Sequence, residues 1–304
     1  MTESPGNVRT VAPGSFGARL TRAFSEYGQL CVGIDPHSWL LSDWNLPDSA
    51  AGAESFGRAV VAAAAGRVGL IKPQVAFYER FGSAGFLALE RVLADARQAG
   101  LIVIGDAKRG DLGTSALGYA EAWLSSGSPL EVDALTVAAY MGVGSLDSTL
   151  EIASRNEKGV FVLAATSNPE AAHLQQARVA TGPHAGASVA GAIVADVVER
   201  NARTSAVSAL PVSDLGSIGV VLGATLNLAA FGIDVAEAPL SPLTPVLAPG
   251  FGYQGGDVKN LVGIYGGYAR GVIVSESRSV LSNGPHRIEE AIERRIVEVG
   301  ALRG

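Results

Sequence analysis

Leu101-Ile102-Val103-Ile104-Gly105-Asp106-Ala107-Lys108-Arg109-Gly110-Asp111 passes from an unbroken apolar run to four charges in six residues. The apolar part reads as a short buried strand over 101–106, so the charges stand where a strand hands over to a loop. Successive strand side chains point in opposite directions. Asp106 and Lys108 therefore share one face, Ala107 and Arg109 take the other, and Gly110 lets the chain turn before Asp111. Sheltered from water, such a carboxylate and ammonium hold each other ionised, which makes Lys108 a positioned proton donor. An ion pair that only closes the end of a sheet is the plainer reading, and the spacing alone leaves both open.

Apolar runs of the same kind recur along the chain. Strands are expected at 29–35, 68–72, 101–106, 132–138, 159–165, 218–224, 246–248 and 271–275. Helical spacing falls at 16–27, 54–67, 84–99, 115–126, 144–154, 185–203, 227–237, 256–266 and 285–299, with 1–13 a loose leader and 36–50 a loop. Strands alternating with helices call for a parallel sheet. A doubly wound open sheet satisfies the alternation, but eight units sit near the ~250 residues typical of a closed barrel. The expected fold is α/β: a single (β/α)8 TIM barrel domain over residues 1–304, with an N-terminal helix and loop insertions near 201–214 and 239–249.

Composition narrows the function classes. With 48% hydrophobic and 17% charged residues the chain can bury a substantial core and does not read as disordered. A net charge of −6 offers no basic footprint for nucleic acid. The single cysteine, Cys31, allows no internal disulfide and fits a reducing compartment. Residues 1–20 hold no continuous apolar segment, so no signal peptide is expected and the location expected is cytoplasmic. The uncharged stretch 218–233 is shorter than the ~20 residues of a membrane span and is interrupted by Gly219, Gly223, Asn227 and Gly232. It reads as a buried strand followed by a buried helix. His37, His173, His184 and His286 are scattered, without the spacing of a metal site.

Barrel chemistry collects at the carboxyl ends of the strands. Those ends carry Asp35, Lys72, the Asp106/Lys108/Asp111 group, Thr166-Ser167-Asn168, Gln254 with its glycines, and Ser277-Arg278. Such a polar ring on an apolar scaffold is what a ligand site requires. Pro249-Gly250-Phe251-Gly252-Tyr253-Gln254-Gly255-Gly256-Asp257 follows the seventh strand and is expected to open a helix. Its glycines let backbone N–H groups approach a phosphate, and the helix N-terminus adds partial positive charge. The stretch formally matches a dinucleotide fingerprint, but that motif belongs after a first strand, and a plain flexible turn is the other reading. Arg278, just past the eighth strand, has the planar fork that suits phosphate, or is a solvated cation. Lys72 either snorkels from its strand end or acts as a Schiff-base lysine. Asp35 before Pro36 fits a turn as well as a site.

Together these residues resemble the orotidine 5'-phosphate decarboxylase family. Asp106-Ala107-Lys108-Arg109-Gly110-Asp111-Leu112-Gly113-Thr114 is similar to the signature of its longer bacterial subgroup. Cys31–Pro36, Lys72-Pro73-Gln74, Thr166–Pro169, Gln254–Asp257 and Ser277-Arg278 follow in the family's order. The resemblance implies decarboxylation of orotidine 5'-phosphate to UMP in pyrimidine biosynthesis, without cofactor or metal. It implies a charged tetrad of Lys72, Asp106, Lys108 and Asp111, with Asp111 donated across a homodimer and Lys108 protonating C6 of the pyrimidine. Asp35 is implied to bind a ribose hydroxyl, Ser167 the pyrimidine, and Gln254, Gly255, Gly256 and Arg278 the phosphate end. Glu170 departs from the glycine the family often has there. Two other readings remain at this point: another phosphate-binding barrel, such as a sugar-phosphate synthase or a Schiff-base aldolase using Lys72 or Lys108, and a nucleotide-binding barrel without catalysis.

Overall fold

The structure is a computed structural model that describes residues 14–207, 214–236 and 241–301. The leader 1–13, residues 208–213 of the first expected insertion, residues 237–240 at the start of the second, and residues 302–304 lie outside the described residues.

Eight strands close into one barrel in sequence order, every neighbour parallel: β1 (Leu30–Ile34), β2 (Leu70–Pro73), β3 (Ile102–Arg109), β4 (Ala134–Ala138), β5 (Gly159–Ala165), β6 (Ile218–Leu222), β7 (Val246–Pro249) and β8 (Val272–Glu276). The ring shuts where Leu30 pairs with Val274 and Cys31 with Ser275. Continuous apolar runs produce these strands because both of their faces are covered, by the barrel interior and by the helices outside. The open-sheet alternative is thereby excluded.

The helices around it are α1 (Phe16–Tyr27), α2 (Ser38–Asp43), α3 (Ala50–Ala64), α4 (Ala76–Glu79), α5 (Gly82–Gln98), α6 (Gly113–Leu124), α7 (Asp147–Arg155), α8 (Ala171–Gln175), α9 (Val189–Val207), α10 (Leu261–Tyr265), α11 (Arg278–Leu281) and α12 (Ile288–Gly300). α1 plugs the amino-terminal end of the barrel. Ser15 caps it by accepting from the Ala18 N–H, and Phe16 meets Phe161 of β5 edge to face at 5.9 Å. The strand start at Gly159 has no side chain because a Cβ there would stand 2.4 Å from the Phe16 ring. Arg19 reaches from the same helix to Asp133, which also accepts from the Val103 N–H at 2.9 Å. With one end filled this way, the other is left for polar groups.

Four expectations need correction. The stretch 36–50 contains α2, whose Leu40 and Leu41 are buried. Among the described residues no α-helix lies between β6 and β7; a 3-10 turn at Leu228–Phe231 stops at Gly232, which takes φ +68, a left-handed value suited to glycine. Gly255 and Gly256 do not open an α-helix either. A 3-10 turn at Val258–Asn260 intervenes, capped by Asp257, and α10 begins only at Leu261, so no helix dipole points at the glycines. The insertion expected from 201 begins later: α9 runs to Val207, and its Asn201, inside the expected helix 185–203, is buried and clamps that helix to the sheet through the Ile218 carbonyl at 2.7 Å and Thr244 Oγ1 at 3.0 Å.

Candidate active site

β3 runs three residues beyond the expected 101–106, to Arg109, and so carries Asp106, Lys108 and Arg109 on the sheet itself. Its pairing with β4 shifts between Gly105 and Arg109, and Lys108 takes φ +49, an uncommon value for a residue with a side chain. The Lys108 N–H is held by Thr136 Oγ1 of β4 at 2.9 Å. The irregularity keeps Asp106 and Lys108 on one side, as strict alternation predicts, and brings their charged ends to 2.7 Å.

Asp106 is the centre of the group. Its Oδ2 accepts from Lys72 Nζ at 3.0 Å and Gln74 Nε2 at 3.1 Å, and its Oδ1 from Lys108 Nζ at 2.7 Å and Thr136 Oγ1 at 2.9 Å. Four donors saturate a buried carboxylate. Burial works against its charge, but Lys72 and Lys108 outweigh that and hold Asp106 well below the usual carboxylate range. Burial likewise disfavours the Lys72 ammonium, yet Asp106 and Asp35 lift it above its ordinary value. The two lysines differ in access: the Lys72 side chain is 7% exposed, that of Lys108 47%. Lys72 is locked beneath, and Lys108 faces the open mouth.

Asp35 stands at the end of β1 beside this group. Its Oδ1 is buried and accepts no hydrogen bond, an unmet need that a ligand hydroxyl would fill. Ser167, exposed after β5, lies against Gly223, where a Cβ would come 3.4 Å from its own. Gln254 and Gly255 are exposed and Gly256 buried in a ring closed by Gly252 N–H to Gly256 O and Gly256 N–H to Gly250 O, both 2.9 Å. Arg278 lies over the Tyr253 ring at 4.1 Å, which places it beside Gln254. Asp111 is not brought to the lysines. It is half buried, its Oδ1 accepts from the Leu112 N–H at 2.8 Å, and it makes no ion pair among the described residues.

Gln74, which stood in a motif without a role, and Thr136 are partners of Asp106 that pattern reading did not assign. Gln74 stands two positions after Lys72, the spacing that brings a strand-end side chain back to the same face. Thr136 is the one polar residue inside the apolar run 134–138, which was its available signal. Among the described residues no group of three or more His, Cys, Asp or Glu is placed to hold a metal ion. A cavity of about 830 Å3 opens at the other end of the barrel, where Lys158, Val160 and Ile218 begin β5 and β6, and it shares no residue with this group.

A closed parallel barrel with a lysine–carboxylate–lysine cluster at the carboxyl ends of its strands defines a (β/α)8-barrel protein with its chemistry at the mouth. The chain belongs to the orotidine 5'-phosphate decarboxylase / HUMPS family, which it matches over residues 28–284. It is 44% identical over 286 residues to the orotidine 5'-phosphate decarboxylase of Streptomyces coelicolor, covering 93% of this chain and 96% of that one. It is 47% identical over 266 residues to the enzyme of that name from Nocardioides, covering 88% and 91%. A crystal structure of the Streptomyces avermitilis protein ascribed the same activity superimposes with a TM-score of 0.84 at 44% identity, covering 96% of each chain.

Proposed function

We propose that the protein converts orotidine 5'-phosphate to UMP and carbon dioxide, with Lys108 as the proton donor. The observation that carries this reading is the Asp106 carboxylate held between a buried and an exposed lysine, at the mouth of a barrel of this family.

The substrate carboxylate at C6 lies beside Asp106, where two anions face each other, and its loss relieves that repulsion. As the C6–CO2 bond breaks, its electron pair stays on C6. The Lys108 ammonium stabilises the developing negative charge and then delivers a proton to form UMP. Lys72, lifted above its ordinary pKa, keeps Asp106 ionised throughout. Asp35 accepts a ribose hydroxyl and Ser167 contacts the pyrimidine. Gln254, the Gly255-Gly256 backbone and Arg278 hold the phosphate, whose binding energy fixes the ring over the charged group. No cofactor or metal enters. A raised Lys72 pKa also speaks against a Schiff base there, which needs the neutral amine.

Asp111 completes the site of a second subunit in a homodimer. Its failure to meet the lysines of its own chain supports this, as do the exposed Leu112, Tyr140 and Met141 just past β3 and β4. We read the barrel as one catalytic domain of a cytoplasmic enzyme in pyrimidine biosynthesis. The test is conversion of orotidine 5'-phosphate to UMP by purified protein in chelator without added cofactor. Lys108→Ala should lose turnover and keep UMP binding; a variant turning over at the parent's rate removes the proton-donor role.

A further inference from the structure

We infer that Glu276 and Arg295 form a positioning pair that sets the phosphate end of the site, an inference resting on the reading of Gln254 and Arg278 as phosphate ligands. Glu276 is the last residue of β8 and its side chain is fully buried. Its Oε1 pairs with Arg295 of α12, whose guanidinium also reaches Glu298. Its Oε2 accepts from Ser279 Oγ in α11 at 2.5 Å. The loop after β7 passes close by the same oxygen: a Cβ at Gly252 would stand 3.2 Å from Glu276 Oε2 and 3.1 Å from Ser279 Cβ. Gly252 belongs to the ring that carries Gln254, and Arg278 lies between Glu276 and Ser279 in sequence while covering Tyr253. One buried carboxylate therefore sits where both loops that carry the phosphate ligands meet.

The charges matter to that role. An unneutralised carboxylate two residues from Arg278 would compete for its guanidinium and repel an incoming phosphate. Arg295 cancels it from behind, and Arg278 makes no ion pair among the described residues. Docking α12 on the barrel does not by itself require ions, because well-packed apolar residues often replace a buried ion pair without loss of stability. Charge at 276 and 295 thus has a separable task, which is to keep Arg278 free and the Gly252–Gln254 turn in place.

The test compares UMP with uridine, which lacks the phosphate, in parent, Glu276→Gln, Arg295→Lys, the apolar double variant Glu276→Leu/Arg295→Leu, and Arg278→Ala. Folding is checked by circular dichroism. Glu276→Gln and the double variant should bind UMP about tenfold or more weakly, with uridine affinity within about twofold of the parent's and KM for orotidine 5'-phosphate raised. Arg295→Lys should fall between, since it keeps the charge without the fork. Folded variants that retain the parent's preference for UMP, while Arg278→Ala loses it, overturn this inference alone. Equal loss for UMP and uridine also overturns it, because that marks a merely structural role. A parent that binds UMP no better than uridine overturns the phosphate reading and this inference with it.

Discussion

Asp106→Asn removes one charge and leaves the shape of the site almost unchanged, so its cost measures what the carboxylate does for the two lysines. The Lys72 ammonium is 3.0 Å from Asp106 and 7% exposed. At an effective dielectric of about 20 the attraction at that distance is about 5 kcal/mol, and breaking a buried pair from one side costs about 3–5 kcal/mol. Lys72 can escape by shedding its proton, which at pH 7 costs about 4.6 kcal/mol from an ordinary lysine pKa of about 10.4. The two routes agree, so the variant should be about 4 kcal/mol less stable. Lys108, 47% exposed, adds less than about 1 kcal/mol because water screens it. The assay is urea unfolding at several pH values, with Asp106→Asn/Lys72→Met beside the single variant. Asp106 is depressed, so its stabilisation is present above the unfolded carboxylate pKa and is lost as pH falls towards the lower folded value. Lys72 is raised, so its stabilisation is full below about pH 10.4 and is lost as pH rises through the higher folded value. The gap between parent and single variant should be widest near neutrality and narrow at both extremes, and the double variant should recover most of it. A single variant that unfolds at the parent's urea midpoint at pH 7, with an unchanged slope, refutes this reasoning.

Mixing inactive Lys108→Ala subunits with inactive Asp111→Ala subunits should restore part of the activity once exchange is complete, because some mixed dimers then hold one intact site; no recovery after exchange, followed by native mass spectrometry, argues against a shared site. Gly110→Ala should lower stability by about 1–3 kcal/mol, since overpacking is met by backbone here. Its methyl would stand 2.4 Å from the Ala138 carbonyl oxygen, and an unchanged melting temperature would count against that contact.

The barrel was legible because eight apolar runs closed by polar residues are a repeated signal, and the strand starts fell within about two residues of observation. The connections were less so. The run after β6 has enough alanine and leucine to read as a helix, but Gly232 halts it after one turn, and tertiary packing settled what local pattern did not. Within the site, the charges of β3 were readable from alternation, although the shift in pairing with β4 was not. Thr136 and Glu276 were hidden for opposite reasons. A threonine in a strand looks like ordinary β-branched filler, while a glutamate at a strand end looks like solvated surface until Arg295, nineteen residues on, is seen against it. The separation of Asp111 from Lys108 is invisible in a sequence that prints them three residues apart.

The backbone at Lys108 sits where asparagine or glycine would rest more easily, with φ at +49. A procedure that redesigned this chain for thermal endurance alone would count Lys108 among the residues to replace, and would delete the proposed proton donor in doing so. Under the proposed mechanism, selection for stability and selection for turnover pull in opposite directions at position 108, and it should be held fixed in any attempt to harden the fold.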